Sequence, residues 1–550
     1  MRRTATRLHC AVALCLGVRQ FVAPMAKTFF ITTAIDYTNS APHIGHAYEK
    51  VLADVIARYH RLKGEKVFFL TGVDQHGQKV QQSAAKAGVP PAEFVKDITG
   101  KFVDLWKKLD VKYDEWAETT SERHKKVVQG ILQRLFDEKQ IYKDKQGGYY
   151  SVRQEQFLTD KERGPGGQFG PEWGQVEFRE EENYYFKLSQ HKERLLRYID
   201  NRKDAVIPNF RQTELRNAVE KLSGDLCISR PKARLDWGIE LPFDKNFVTY
   251  VWFDALTNYI SFAGYDPALS TFNSQPSTFR DKWPALQIIG KDILIPAHGI
   301  YWLIMLHSVG FPDEAMPQLL VHGWWNVSGA KMSKSAGNIV DPNVLADKYG
   351  AEALRYYLMS DIAMGKDADF SVERLRVYRY KMDLADTLGN LVNRVLPLIG
   401  RHRDGSLKRF LAIETSNGGS FEELISKTVT VYRALFNDFK TNEALEQVLG
   451  LARVYNQLIQ KIQLWRLSKI SPGSRFDELL YGFSESLRII AILTSPVLPK
   501  AAHGIFDQLN WKMELSGNEE RFSLDDAKWG GLPDGHVVGK PVPLFPQIQQ

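Results

Sequence analysis

Thiols are scarce in this chain. Its 550 residues hold three cysteines, Cys10, Cys15 and Cys227. Two lie within the first 24 residues, so the body has one. That rules out an internal disulfide there and agrees with a reducing compartment. A single thiol also cannot build a four-thiolate zinc knuckle. Long apolar runs are missing as well: the best candidate, Ala11 to Val18, is far too short to cross a bilayer. There is no internal repeat and no low-complexity tract. An excess of one charge is also lacking. The formal net charge is +7; Arg2, Arg3, Arg7 and Arg19, with no acid in residues 1–24, supply four of it and leave +3 for the rest. A body so nearly balanced neither argues for nor excludes a basic face that binds nucleic acid.

Residues 1–24 stand apart from the fold. They are basic, lack acids and contain a short apolar stretch, Cys10 to Leu16. Three readings stay open: a mitochondrial-type targeting segment, a weak secretory signal, or an over-extended start with Met25-Ala26-Lys27-Thr28 as the true beginning.

What is present is an α/β pattern. With 550 residues and 44 % apolar content, the chain can bury a large core and divide into several domains. Residues 28–35 and 66–71 read as buried parallel strands, with a helix from about Ala47 to Arg61 crossing between them. In such a βαβ unit the loops at the strand ends carry the site. Residues from about 120 to 230 are more charged and are interrupted by Gly164-Pro165-Gly166-Gly167; they read as an insertion. Strand-like runs return at Val248 to Trp252 and at Leu286 to Ile289. After Asp369 the strands stop, and helical periodicity runs from Val372 to about Leu509.

Two motifs carry chemistry. Pro42-His43-Ile44-Gly45-His46 sits on the first strand-to-helix turn, and Lys331-Met332-Ser333-Lys334-Ser335 sits in a polar loop far downstream. Each alone has a bland reading: two loop histidines with no role, and a solvated basic turn. Together they can grip one triphosphate from opposite sides, because the start of a helix already favours phosphate.

This pair is the signature of class I aminoacyl-tRNA synthetases, and over residues 27–547 the chain resembles the methionyl-tRNA synthetase family. Five further segments carry the resemblance in family order: Ile31 to Asn39, Gly72 to Gly77, Tyr250 to Ala255, Gly290-Lys291-Asp292-Ile293 and His322-Gly323. The fold it implies is α/β: a Rossmann-type parallel-sheet catalytic domain, split by an insertion and followed by an α-helical anticodon-binding domain. The implied divisions are 25–120 and 231–330 for the two catalytic halves, 121–230 for the connective insertion and 331–368 for the lysine loop and linker. The helical domain would be 369–530, and 531–550 a tail with no room for an appended domain.

The activity implied is ATP-dependent attachment of methionine to its tRNA through a methionyl-adenylate. No covalent enzyme nucleophile is needed, so catalysis should rest on positioning and on stabilising phosphate charge. His43, His46, Lys331 and Lys334 are the expected catalytic set. Gly45, Arg230, Gly290, Asp292, His322, Gly323 and Lys334 are expected around ATP, with Mg²⁺ neutralising the β- and γ-phosphates. A flexible thioether needs an aromatic, apolar pocket. Tyr37, Trp252 and Tyr259 would supply it, walled by Ala34, Ile35, Ala255, Leu256 and Ile293, with Asp74 taking the ammonium. His298 stands one position further from Gly290 than the family's pocket histidine does. The bland alternatives are a core tryptophan for Trp252 and a helix N-cap for Asp74.

In the helical part Trp465 follows Asn456 to Ile459, with Leu464 where the family usually has proline. An exposed Trp465 would stack on an unpaired base; a core tryptophan is the alternative. Asn390, Asn393 and Arg394 are further expected anticodon contacts. The partners implied are methionine tRNAs with a CAU anticodon, methionine and ATP, with no membrane and a monomeric enzyme. Many family members carry zinc-binding cysteines in the insertion. Here Tyr149 to Arg153 and Glu172-Trp173-Gly174 have no thiols nearby, so the chain resembles the zinc-free form and no structural zinc is expected. The insertion is also too short for an editing domain. Cytoplasm is the expected location, with the mitochondrial matrix as the alternative. Two rivals differ in kind. A small-metabolite nucleotidylyltransferase would need neither the lysine loop nor the helical part, and a dead tRNA-binding paralogue would be expected to have lost His43, His46 or Lys334.

Overall fold

The computed structural model describes residues 27–153, 156–158, 160–164, 166–332, 338–414, 419–470, 473–515, 521–546 and 548. The apolar runs at the start become strands because both of their faces are covered. β1 (Phe29–Thr33) pairs in parallel with β2 (Val67–Asp74), Phe29 opposite Val67 and Thr32 opposite Leu70. β3 (Glu115–Glu118) lies outside β2. On the other side of β1 come β5 (Ala285–Gly290), β6 (Gln318–His322) and the two-residue edge strand β4 (Val206–Ile207). The order is therefore β3-β2-β1-β5-β6-β4, all parallel. The chain reverses its direction of strand addition between β1 and β5, and that switch point is where α/β sheets open a crevice at the carboxyl ends of their strands. Asp36–Tyr37 continues the line of β1 against Val73 and Asp74.

Three helices flank this crevice: α1 (Ile44–Leu62), α2 (Gln78–Ala87) and α3 (Val251–Ser261). α1 is buried nearly all round, with Val51, Leu52, Val55 and Ile56 almost wholly so and Glu49, Lys50, Asp54 and Arg58 buried beside them. One core cluster joins the apolar residues to β1, β2 and the C-terminal helices. Polar residues on α1 are therefore paired. Asp54 meets Arg58 at 2.8 Å and the fully buried Arg355 at 2.7 Å. Arg355 also donates to the carbonyls of Leu109, Pro496 and Val497, so one guanidinium pins α1 to both halves of the molecule.

Between β3 and β5 a separate antiparallel sheet forms. Ile141–Ser151 pairs along its length with Val176–Phe186, flanked by Gln156–Leu158 and Leu226–Cys227. Residues 121–230 thus serve two ends in space, since Val206–Ile207 belongs to the parallel sheet. Arg163 lies 4.6 Å from the ring centre of Tyr149 and 4.5 Å from that of Phe169, clamping the glycine-rich turn onto the hairpin. Among the described residues no group of three or more His, Cys, Asp or Glu side chains is placed to hold a metal.

The run Val248 to Trp252 is not one strand. Phe247–Thr249 pairs with Ser229–Pro231 outside the main sheet, and Val251 already opens α3. Its apolar pattern continues through Ile260, and a short apolar run does not distinguish a strand from a buried helix. After Asp369 helices dominate, among them Arg374–Gly389, Asn390–Arg403, Phe421–Asn437, Thr441–Ile462 and Ser474–Thr494. One strand pair does persist there, Ser406–Leu407 with His536–Val537. No helix among the described residues is long and apolar enough to cross a membrane.

Candidate active site

The first turn of α1 is closed by its own signature. His43 is the N-cap, with extended backbone, and its Nδ1 accepts from the Gly45 amide at 3.1 Å. His46 Nδ1 accepts from the His43 amide at 3.1 Å. The two imidazoles make a reciprocal capping box, a job usually done by Ser or Thr with Glu. Because both δ nitrogens accept, the neutral tautomers carry their protons on Nε2, leaving those atoms as donors. Burial, reinforced by His43 and Lys50, holds the His46 imidazole well below its usual pKa, so it donates as a neutral group. Gly45 is demanded first by His43: a Cβ at Gly45 would lie 2.9 Å from the His43 ring.

A cavity of about 480 Å³ opens at the switch point, below this turn. Ala34, Ile35, Tyr37, Asp74, Trp252, Ala255, Leu256, Tyr259, Ile293 and His298 all line it. Trp252, Ala255, Leu256 and Tyr259 follow the i, i+3, i+4, i+7 rule and share one face of α3. Asp74 ends β2, and Gly77 rather than Asp74 precedes α2, so Asp74 is not its N-cap. Tyr259 Oη lies 2.7 Å from His298 Nε2, and His298 Nδ1 lies 2.9 Å from the Ile293 carbonyl. That carbonyl can only accept, so the ring proton is on Nδ1 and the Tyr259 hydroxyl donates to Nε2. Burial pushes the His298 pKa down to about 4. Between Gly290 and His298 the backbone kinks at Ile295, which has extended φ/ψ of −117° and 122°, and His298 lies beyond that kink.

Sequence reasoning missed three liners, Lys79, Val251 and Asn258; Asp292, expected at ATP, also reaches the cavity. It missed the bracing behind the wall as well. Asp254, on α3, takes His76 Nδ1 at 2.7 Å and His124 Nε2 at 2.7 Å. His76 stands two residues past Asp74, so this buried carboxylate fastens the Asp74 loop to the helix that bears Trp252. His76 and Asp254 both fall within family-like segments, Gly72 to Gly77 and Tyr250 to Ala255, but nothing in their spacing pairs them.

The nucleotide loops end β5 and β6 side by side, Gly290 in register with His322. His322 Nε2 is 3.0 Å from Glu49 Oε2 on α1, and its Nδ1 is 2.7 Å from the Gly323 carbonyl. A Cβ at Gly323 would collide with the Lys366 carbonyl at 2.0 Å, which explains the glycine. Arg230 stands apart. It is buried beneath the insertion, 2.7 Å from the Ser229 carbonyl and 4.6 Å from the Tyr250 ring centre, and does not line the cavity.

Of the lysine loop, Ser333, Lys334 and Ser335 lie outside the described residues, as does the Lys331 side chain. Its base is a hairpin in which Asn326 faces Lys331. Just past the loop, the Val340 carbonyl accepts from the Ile44 amide at 3.1 Å. The segment that follows the lysine loop is thus bonded to the first turn of α1.

In the helical part Trp465 is 38 % exposed, so it is not a core residue. The Arg394 guanidinium lies 5.7 Å from its ring centre and donates to Gln460 Oε1 at 2.6 Å. Asn390 Nδ2 donates to Asn456 Oδ1 at 3.2 Å. Asn393 is exposed on the same helix. Trp465, Arg394, Asn390 and Asn456 therefore form one contiguous face.

A parallel sheet with a histidine-capped first helix, a hairpin packed against that helix through Trp325 and Tyr48, and a helical C-terminal part is the architecture of a class I tRNA synthetase, and the family described as tRNA synthetases class I (M) matches residues 29–166 and 173–396. The methionine–tRNA ligase of Thermotoga maritima is 39 % identical over 526 residues, 94 % of this chain and 80 % of that protein. That of Thermosynechococcus vestitus is 36 % identical over 95 % of this chain and 98 % of its own length. The solved Mycobacterium tuberculosis methionyl-tRNA synthetase in complex with methionyl-adenylate superposes with a TM-score of 0.84 at 34 % identity, covering 95 % of this chain and all of that one. The chain belongs to the methionyl-tRNA synthetase family.

Proposed function

We propose that this enzyme joins methionine to its tRNA through methionyl-adenylate, with methionine in the 480 Å³ cavity and ATP across the ends of β1, β5 and β6. The observation that carries this reading is the meeting of two features at one end of one sheet: an aromatic cavity holding a buried carboxylate, and the two capping imidazoles, whose helix start is bonded to Val340 just past the lysine loop. Asp74 takes the ammonium group. Trp252, Tyr37 and Tyr259 enclose the thioether, and the neutral His298 holds Tyr259 in place. A methionine carboxylate oxygen attacks the α-phosphorus of ATP, the bond to the bridging oxygen breaks, and pyrophosphate leaves with the electron pair. His43 and His46 offer Nε2 donors to the phosphates, and Lys334 closes on the departing pyrophosphate. The terminal ribose hydroxyl of the tRNA then takes the methionyl group and releases AMP.

ATP is taken as its Mg²⁺ complex, in which the ion neutralises the β- and γ-phosphates. Gly290, Asp292, His322 and Gly323 hold the nucleoside side. Arg230, already bonded beneath the insertion, serves the phosphates only if its present contacts open. Trp465, Arg394, Asn390 and Asn393 read the CAU anticodon. The reaction needs ATP and tRNA, which fits a cytoplasmic monomer or, if residues 1–24 are a targeting segment, the mitochondrial matrix. The decisive assay is ATP–pyrophosphate exchange: it should require methionine, and exchange indifferent to methionine would overturn the assignment.

A further inference from the structure

The cavity has a charge its walls of aromatic and aliphatic groups do not explain. Free methionine is a zwitterion: its ammonium and carboxylate leave the same carbon. A site that grips the ammonium with Asp74 brings the carboxylate within a few ångströms of that aspartate, where two anions repel. Asp292, the other acidic liner, makes this worse. His298 is kept neutral by burial and offers no compensating charge. Among the described residues lining the cavity, Lys79 is the one that carries a permanent positive charge.

Its placement is specific. Tyr37 lies opposite Asp74 in the strand register, and the Lys79 ammonium sits 5.9 Å from the Tyr37 ring centre. Gly77 has φ 108°, and a Cβ there would lie 2.6 Å from Tyr37 Oη, so the tyrosine hydroxyl rests against the turn that opens α2. Only glycine permits this approach. The close contact brings the first turn of α2, with Lys79 on it, to the edge of the cavity beside Asp74. The positive end of the α2 dipole adds to the lysine charge.

We infer that Lys79 binds the methionine carboxylate and positions it for attack, so that Asp74 and Lys79 together recognise the α-amino acid head while α3 recognises the side chain. This rests on the assignment of the cavity to methionine. In the adenylation step one carboxylate oxygen bonds to the α-phosphorus, and its charge leaves with pyrophosphate. Lys79 therefore acts on the carboxylate of the free amino acid, which is no longer an anion once the mixed anhydride has formed.

Methioninol, which keeps the ammonium and the thioether but has no carboxylate, separates this role from a structural one. Dissociation constants for methionine and methioninol are measured on the full chain for the natural enzyme and for Lys79→Met, Lys79→Arg and Trp252→Ala. Removing a charge-assisted hydrogen bond should weaken methionine by about tenfold to a hundredfold in Lys79→Met. Methioninol should bind within about twofold of the natural enzyme, and Lys79→Arg should restore most of the methionine affinity. Equal weakening of both ligands, or no weakening of methionine while Trp252→Ala loses both, overturns the role of Lys79 and leaves the cavity assignment standing. If Trp252→Ala weakens neither ligand, the cavity assignment fails and takes this inference with it.

Discussion

The cavity proposed for methionine and the face proposed for the anticodon are built by opposite rules. In the cavity wall and directly behind it polar groups are buried and bonded to each other: Tyr259 to His298 and His298 to Ile293 in the wall, His76 and His124 to Asp254 behind it. At the other end Trp465 lies more than a third exposed, with a guanidinium held over it from a neighbouring helix. The difference follows from the ligands. A short thioether side chain must be enclosed to be told from its isosteres, so its site is desolvated and fixed in advance. A base is recognised on a flat face and an edge, so its site has to reach out of the protein. Rigidity is placed where the ligand is small, and exposure where the ligand is large.

This contrast can be broken in stages. The largest effect is expected where the two regions are joined. Arg355→Leu leaves Asp54 buried with one partner fewer and frees three carbonyls, and should cost about 3–5 kcal/mol of stability in denaturant unfolding. A loss under about 1 kcal/mol would mean that Arg355 does not hold the halves together. Next comes Lys334→Ala, expected to slow methionyl-adenylate formation by about 10²-fold or more, as when one transition-state donor is removed. Near-normal pyrophosphate exchange would sink its role. Trp465→Ala should lower tRNA charging by about tenfold to a hundredfold while exchange and the thermal midpoint hold steady, since a stacked base is worth about 1–3 kcal/mol. Unchanged charging would remove Trp465 from the anticodon face.

A smaller effect is expected from pH. His298 has its folded pKa depressed to about 4, whereas an ordinary histidine titrates at 6.5. The unfolded chain therefore binds a proton first as pH falls. Stability contributed by the neutral ring is complete above 6.5 and is lost as pH drops toward 4, by about 1.4 kcal/mol at pH 5.5. The slope of unfolding free energy between pH 6.5 and 5 should flatten in His298→Gln; an identical slope would show that the ring is not buried neutral. The smallest effect is none at all. A zinc-selective chelator should leave exchange unchanged, and elemental analysis showing about one zinc per chain would contradict the expectation drawn from the lone body cysteine.

How much of the molecule was legible in its sequence depended on the range of the interaction. The α3 wall was legible only through the family resemblance; helical spacing then places Trp252, Ala255, Leu256 and Tyr259 on one face. The end of β2 could be read because strand ends carry the site in a parallel sheet. The run Val248 to Trp252 misled because apolar residues five at a time fit a strand or a buried helix equally well. Lys79 and the Asp254 brace were invisible because each depends on two segments that only tertiary packing brings together. The offset of His298 in sequence does not keep it from the cavity, which it lines beyond a kink at Ile295 that spacing alone does not show.

The imidazole cap on α1 has a consequence for how this site can change over time. In most enzymes a binding group and the fold beneath it can drift separately, one substitution at a time. Here the δ nitrogens of His43 and His46 close the helix, while the ε nitrogens are the donors proposed for the phosphates. A serine or asparagine at position 43 would restore the cap without the donor, and no common side chain other than histidine supplies both an acceptor and an opposed donor on one rigid ring. A stepwise path away from the signature can therefore keep the cap but not the donor, and only histidine keeps both.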